Sequence, residues 1–495
     1  MAGSNLRACW LLLAVGCGPT AAQDPSARYS ETELMDPATC GACHPQQYEQ
    51  WSGSMHAYAS EDPLFLAMNQ RGQEVAQIGP FCVNCHAPMA VRTRASSDGT
   101  NLASLPNALK GVTCYFCHVI DRATGAHDAS VHLGEPALMR GPLTDAAPNS
   151  AHGSAYSTLH DRARLESASL CGSCHDIVNG HGAHVERTFA EWEESVFATS
   201  GGNTCGQCHM SQSAAPGPAS SLPGAPLRNL HDHQFPGVDL ALTDFPQADA
   251  QRQAVQSFLD TTLQTALCVR GLGAQASVFV VVDNVAAGHR WPSGAAQDRR
   301  AWFELNAYSA GVAIYQSGVA PVGASPADSD LWLIQDCLFD AQGERVDTFW
   351  DAATTDSNQL PGQLTFDANS PLYYRTHVTQ SYPRSGQKTL SAYPDRVTLD
   401  VHLLAFPFEL FEDLFSEPAR LRLSAADVQA LRAKLVPLDV GKQLEWTAAA
   451  AADTAHGGSV YFEQGVPVRC VTNTGLNAAA DKQPAPVHAN PACTP

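Results

Sequence analysis

Five times the chain repeats two cysteines three residues apart with a histidine directly behind the second. The runs are Cys40-Gly-Ala-Cys43-His44, Cys82-Val-Asn-Cys85-His86, Cys114-Tyr-Phe-Cys117-His118, Cys171-Gly-Ser-Cys174-His175 and Cys205-Gly-Gln-Cys208-His209. From the chain's own cysteine and histidine frequencies, about 0.02 such runs are expected by chance. Two thiols at this spacing can form thioethers to the two vinyl groups of one porphyrin, and the next residue then reaches the iron as an imidazole ligand. A zinc ribbon also uses Cys-x-x-Cys, but it needs no histidine behind each pair. A thioredoxin-type pair needs one motif in a βαβ setting, which this sequence lacks. The repeats therefore predict five covalently held c-type haems, with His44, His86, His118, His175 and His209 as proximal iron ligands.

Each iron then takes a sixth ligand or stays open. Nineteen histidines less the five in the motifs leave fourteen. His56 ends Trp51-Ser-Gly-Ser-Met-His56, just behind the first motif, and His152 and His160 lie between the third and fourth. His233 follows the fifth in His231-Asp-His233, and His289 lies far downstream in Gly288-His289-Arg290-Trp291-Pro292-Ser293-Gly294. These five are the candidate distal ligands, although any one of them, judged by residue type alone, is equally a surface or core histidine. His127, His132, His181 and His184 are reserve candidates that read as surface residues. Met210 directly follows a proximal histidine and so is not placed to ligate its own haem from the other face. No residue is read as catalytic.

Several flanking elements carry a resemblance. Trp51-x-x-Ser54-x-His56, Gly111-Val-Thr-Cys114, Glu191-Trp-x-x-Ser195, Gly202-x-Thr204-Cys205, His233-x-Phe235-x-Gly237 and Gly288-His289-x-x-Pro292-Ser293-Gly294 are involved. Over about residues 36–300 the chain resembles multihaem c-type cytochromes of the hydroxylamine-oxidoreductase and tetrahaem cytochrome c superfamily. The resemblance implies closely stacked haems with histidine on both faces of the transfer irons, and hence distal roles for His56, His152 and His233, and also for His160 and His289. No Cys-x-x-Cys-Lys appears, which weakens a pentahaem nitrite-reductase reading. No counterpart of the crosslinking tyrosine of hydroxylamine oxidoreductases is identifiable.

The elements that must hold these residues fall into two regions, an α+β multidomain organisation. Residues 1–22 read as an export signal, with Arg7 ahead of the short apolar run Cys9–Gly16. Leu13-Ala14-Val15-Gly16-Cys17 resembles a lipobox, which would make Cys17 the lipidated N-terminus; cleavage after Ala22 is the alternative. Residues 36–240 are rich in Cys, His, Gly and Pro, with short helical runs at Pro45–Met55 and Phe189–Thr199. They predict a mostly α and coil multihaem domain whose core is the cofactor itself. Ser211–Pro226 reads as a flexible connector, and Gln251–Gln264 as a helix bridging the two halves. Residues 265–470 predict a β-rich, sandwich-like domain from runs at Ala276–Asn284, Trp302–Ala310, Leu331–Phe339 and Arg396–Leu404, with helical stretches in Leu410–Leu435. Residues 473–495 read as a loose tail. Cys268, Cys337, Cys470 and Cys493 can make two disulfides, of connectivity the sequence does not reveal. Arg299-Arg300-Ala-Trp302 reads as a structural strand edge.

The formal net charge of −20 argues against nucleic-acid binding and against a basic membrane-docking face. It favours basic redox proteins or other cytochromes as partners, or serves solubility alone. The expected location is outside the cytoplasm, in the periplasm or on the outer membrane and cell surface, with the N-terminal lipid as the only membrane anchor. The expected function is electron transfer between redox partners through stacked bis-histidine haems. The alternative is an oxidoreductase acting on a small nitrogen or sulfur compound at one five-coordinate haem, and a scaffold with structural haems is a third.

Overall fold

Threonine caps start two of the motif helices at the first cysteine. Thr113 accepts a hydrogen bond from Phe116 N and opens the helix Cys114–Val119. Thr204 forms a capping box with Gln207 and opens Cys205–His209. The Thr-Cys pairs in the sequence are these caps. The computed structural model describes residues 29–495 apart from 147, 148, 150, 273–275, 474, 494 and 495, so the expected export signal and Cys17 lie outside it. No helix among the described residues is long and apolar enough to cross a membrane.

The expected run Pro45–Met55 is two helices, Pro45–Ser52 and Met55–Tyr58, because Ser54 caps the second. Phe189–Thr199 likewise divides into Thr188–Glu193 and a single 3-10 turn, Val196–Ala198, at Ser195. Apolar side chains in this region form only small clusters around the motifs. One gathers Leu34, Tyr115, Phe116 and Ile120, another Phe65, Val83 and Leu102, and a third Ala168, Phe189, Trp192 and Phe197.

The C-terminal half is a sandwich of two six-stranded sheets. Its strands, with two satellite strands, are β1 Leu263–Arg270, β2 Ser277–Asn284, β3 Arg300–Ser309, β4 Val312–Ser317, β5 Trp332–Ile334, β6 Asp336–Phe339, β7 Thr354–Ser357, β8 His377–Tyr382, β9 Arg396–Leu404, β10 Leu438–Asp439, β11 Leu444–Thr447, β12 Gly458–Glu463, β13 Val466–Thr472 and β14 Gln483–Pro484. One sheet runs β12-β13-β1-β2-β8-β14. The other runs β4-β3-β9-β10, with β5 paired to β3 and β11 to β9, while β6 and β7 pair antiparallel beside it. β2 is apolar and buried on both faces, which suits its place inside the sheet. Val278, Val280 and Val282 face the sandwich core with Phe303, Trp332 and Trp446. Phe279 and Val281 face outward, where Leu476 and Ala478 cover them.

Two expectations about mobile segments do not hold. Residues 473–495 are not a loose tail: β14 adds to the sheet parallel to β8, Ala485 is buried and Cys493 pairs with Cys337. The outward face of β2 is apolar and needs a cover, which this segment supplies. Ser211–Pro226 is not a free connector either. It forms a small ladder between Gly217–Pro218 and Leu227–Arg228, and Ser221 N donates to Cys43 O at 2.7 Å. Its Gly and Pro content shapes a loop that is held down by the first motif. The other disulfide joins Cys268 to Cys470, register partners on β1 and β13.

The two halves share packing. The helix Ala248–Thr262 places Val255 and Leu259 in the sandwich core while Gln251 Nε2 donates to Gly53 O at 3.1 Å. Ala67 and Met68, on the helix Pro63–Ala76, join Trp302, Trp350, Phe408 and Phe411 in one cluster.

Candidate functional site

All ten motif cysteines and all five motif histidines line one cavity of about 1060 Å³. Residues from both halves close it.

Four of the five motif histidines are oriented the same way. His44 Nδ1 meets Ala219 O at 2.8 Å, His86 Nδ1 meets Ala59 O at 2.9 Å, His118 Nδ1 meets Arg140 O at 2.6 Å, and His209 Nδ1 meets Pro236 O at 2.7 Å. A carbonyl can only accept, so Nδ1 carries the proton and Nε2 offers its lone pair. Burial holds each of these four rings below the usual histidine range and so keeps them neutral. His175 differs. Its Nδ1 lies 3.5 Å from Glu186 Oε1. Burial pulls this ring down, but the Glu186 carboxylate overrides it and holds His175 up at about 9. The carbonyls and Glu186 are groups the sequence does not betray, because each lies far along the chain or 11 residues past its histidine.

The five candidate distal histidines also line the cavity. Two imidazoles on opposite faces of one metal, each bonded at about 2 Å, have ring centres about 6 Å apart. His44 and His152 are 6.4 Å apart, and His56 and His175 are 6.1 Å apart. His289 is set electrostatically against His209 first and His175 second, and His233 against His118 first. The Nδ1 atoms of His152, His233 and His289 bond to the carbonyls of Gly153, His231 and Arg290 at 2.8, 3.0 and 2.7 Å, which frees Nε2 in each. Burial depresses His56 to about 3 and His233 and His289 to about 4. His160 is oriented otherwise. Its ring is 5.6 Å from His118, but Nε2 bonds Cys117 O at 2.8 Å and its Nδ1 is buried without a partner. His127, His132, His181 and His184 are exposed, outside the cavity lining.

The flanking sequence elements place these rings. Trp51 Nε1 donates to Val112 O at 2.8 Å, and Val112 N donates to His56 O at 2.8 Å. That strap presses residue 111 against the backbone of His56. A Cβ there would sit 2.7 Å from His56 O, and φ is +65°, so only glycine fits. The element around His289 is anchored from the other half by Glu191 and Thr188, and from its own by Asn284 on β2. Ser293 Oγ donates to Glu191 Oε2 at 2.6 Å, Gly294 N donates to Thr188 Oγ1 at 3.0 Å, and Asn284 Nδ2 donates to His289 O at 2.8 Å. Arg299, read from sequence as a strand edge, is buried and pairs with Asp239 at 3.2 Å.

The cysteines of different motifs are neighbours. Cys40 and Cys114 lie close enough to perturb one another, as do Cys85 with Cys174 and Cys171 with Cys205. Cys117 lies within electrostatic reach of Cys174 and Cys171. Sulfur donors in pairs, each pair beside an imidazole on an apolar cavity, four of the imidazoles neutral and one paired with Glu186, fit covalently held haem.

These features define a class. Residues 39–119, which hold the first three motifs, match the family Cytochrome c554 and c-prime. The fold is similar to the crystal structure of a penta-haem cytochrome c552 from Thermochromatium tepidum, with a TM-score of 0.56 and 19% identity over 84% of this chain and 99% of that one. A search of curated proteins finds no significant match. Motifs, fold and family match together support a multihaem c-type cytochrome.

Proposed function

We propose that this chain is an exported pentahaem cytochrome c that transfers electrons between redox partners. The observation that carries the reading is the convergence of five cysteine pairs and five oriented imidazoles on one cavity. The penta-haem nature of the similar solved structure supports the count. Bound haems supply one-electron redox chemistry, and the chain's residues orient the ligands, exclude water and tune each site. His152, His233, His56 and His289 serve as distal partners of His44, His118, His175 and His209. His160 is left out, because its Nε2 is committed to the Cys117 carbonyl. The mutual influence of the sulfurs gives an order of proximity: the first motif lies near the third, the third near the fourth, and the fourth near both the second and the fifth. The first and the second and fifth motifs are then the ends of a branched path, at which partners dock. The acidic charge favours basic partners, and Cys17 is the proposed lipid anchor at the outer membrane. The resemblance to the hydroxylamine-oxidoreductase superfamily supports the same reading.

The second reading is an oxidoreductase on a small nitrogen or sulfur compound, and one observation favours it. The ring against His86 is Phe65, stacked at 4.1 Å, and among the described residues no histidine is paired with His86 as His152 is with His44. The test is a pyridine-haemochrome assay with intact mass, followed by electron paramagnetic resonance. Five haem additions and low-spin irons support the carrier; four or fewer additions refute the count. One equivalent of high-spin iron that binds nitrite or hydroxylamine and persists in His233→Ala transfers the conclusion to the oxidoreductase.

A further inference from the structure

Away from the cavity, the C-terminal segment gathers a second set of ligand groups. Cys337 on β6 and Asp356 on β7 are direct partners in the antiparallel register, so their side chains leave the same face of that ladder. Residues 488–493 are laid over them: Asn490 N donates to Asp356 Oδ2 at 2.7 Å, and Gln335 Nε2 donates to Cys493 O at 3.1 Å. The sulfurs of Cys337 and Cys493 and a ring nitrogen of His488 all lie within 4.8 Å of one another. Asp356 closes the group from the fourth side, with Oδ1 3.7 Å from His488 Nδ1 and Oδ2 3.9 Å from Cys493 Sγ.

His488 is the informative member. Its side chain is 4% exposed, yet neither ring nitrogen makes a hydrogen bond. Buried polar atoms are nearly always satisfied, so an imidazole whose Nδ1 reaches only Asp356 at 3.7 Å and whose Nε2 has no partner, beside two sulfurs, points to an unfilled ligand role. Two thiolates, an imidazole and a carboxylate form a borderline-soft set of four that suits a tetrahedral Zn²⁺. The haem cavity makes no use of these residues.

We propose that Cys337, Asp356, His488 and Cys493 form a zinc-type cation site, filled while the two cysteines are thiols and closed when they join as the disulfide seen in the fold. The two states are alternatives for the same sulfurs. Binding Zn²⁺ displaces one proton from each thiol and moves no electrons. Forming the disulfide instead removes two protons and two electrons, passed to a thiol oxidant such as another protein's disulfide. Either state pins the end of the chain to β6 and β7.

The test uses the full haem-loaded protein, reduced with a phosphine, stripped of free metal and given Zn²⁺ alone. Metal analysis should find one zinc per chain beyond the iron, and peptide mapping should find Cys337 and Cys493 protected from iodoacetamide. His488→Ala and Cys493→Ser should weaken zinc binding by more than about 100-fold, since even outer-shell partners of a metal cost 10–100-fold, with haem content and visible spectrum unchanged. The proposal is overturned if the reduced parent protein takes up no more zinc than Cys493→Ser. It is equally overturned if zinc leaves both cysteines open to alkylation, or if the disulfide stays shut under phosphine in the folded protein. The alkylation readout needs no variant, so a misfolded substitution cannot hide the answer.

Discussion

Replacing Glu186 by Gln should raise the potential of the haem at His175 more than any other, with a smaller rise at His86, on which the same carboxylate acts. Glu186 is the one carboxylate within ion-pair distance of a motif histidine among the described residues, 3.5 Å from His175 Nδ1 with 14% of its side chain exposed. Beyond Nδ1, the ring and a metal bond add roughly 4 Å, so the charge sits about 8 Å from a metal on Nε2. At an effective dielectric of about 20 that is about 2 kcal/mol, or about 90 mV for a one-electron couple. A negative charge favours the oxidised metal, so losing it moves the potential upward. Glutamine keeps the size and a polar contact to the ring, which confines the change to charge. Spectroelectrochemical titration at pH 7 of the parent protein, Glu186→Gln and the exposed control Glu193→Gln would show it as one component displaced upward more than the rest. A Glu186→Gln shift no larger than that of Glu193→Gln would refute both the placement of Glu186 and its role. Where neighbouring haems interact, the displaced value belongs to the set, and its assignment to His175 needs a site-resolved spectrum.

Glu191 is buried and pushed up to about 7 by that burial, against an ordinary value near 4.5. Its neutral form is therefore favoured by folding, and its cost to stability appears as pH rises from about 4.5 to 7 and stays constant above, approaching about 3 kcal/mol. Glu191→Gln should gain stability relative to the parent protein between pH 5 and pH 8 in guanidinium unfolding; an equal difference at both pH values would contradict the burial argument. The Cys268–Cys470 bond spans 202 residues, so Cys268→Ala with Cys470→Ala should lose about 5 kcal/mol in the loop-entropy account. A loss under about 1 kcal/mol would mean that sheet pairing alone constrains β1 and β13. Cys17→Ser should release the protein from membranes into the soluble fraction; unchanged fractionation would leave ordinary secretion as the reading.

The candidate attachment motif was legible because it is local. A thioether pair and a proximal histidine occupy five consecutive residues, so Cys-x-x-Cys-His needs no tertiary information. The strands around Val278–Val282 and Arg396–Leu404 were legible for a similar reason, since runs of β-branched and apolar residues show themselves in short windows. The tail and the Ser211–Pro226 loop were not. Their compositions are those of unanchored chain, and what orders them is contact with residues nearly two hundred positions away: Phe279 for the tail, Cys43 and His44 for the loop.

The sequence by itself determined which residues can hold haem and that the chain has two kinds of region. Only the tertiary structure decided which imidazole faces which. His56, 12 residues from His44, is set against His175, and His152, 108 residues from His44, is set against it. A distal ligand must come from whatever element lies across the cavity, and chain distance carries no information about that. The same holds for the proton on each ring, which is placed by a carbonyl or a carboxylate delivered by another loop. Covalent attachment is written in adjacent residues, whereas ligand pairing and tuning are properties of a surface that exists only once the halves have closed on it.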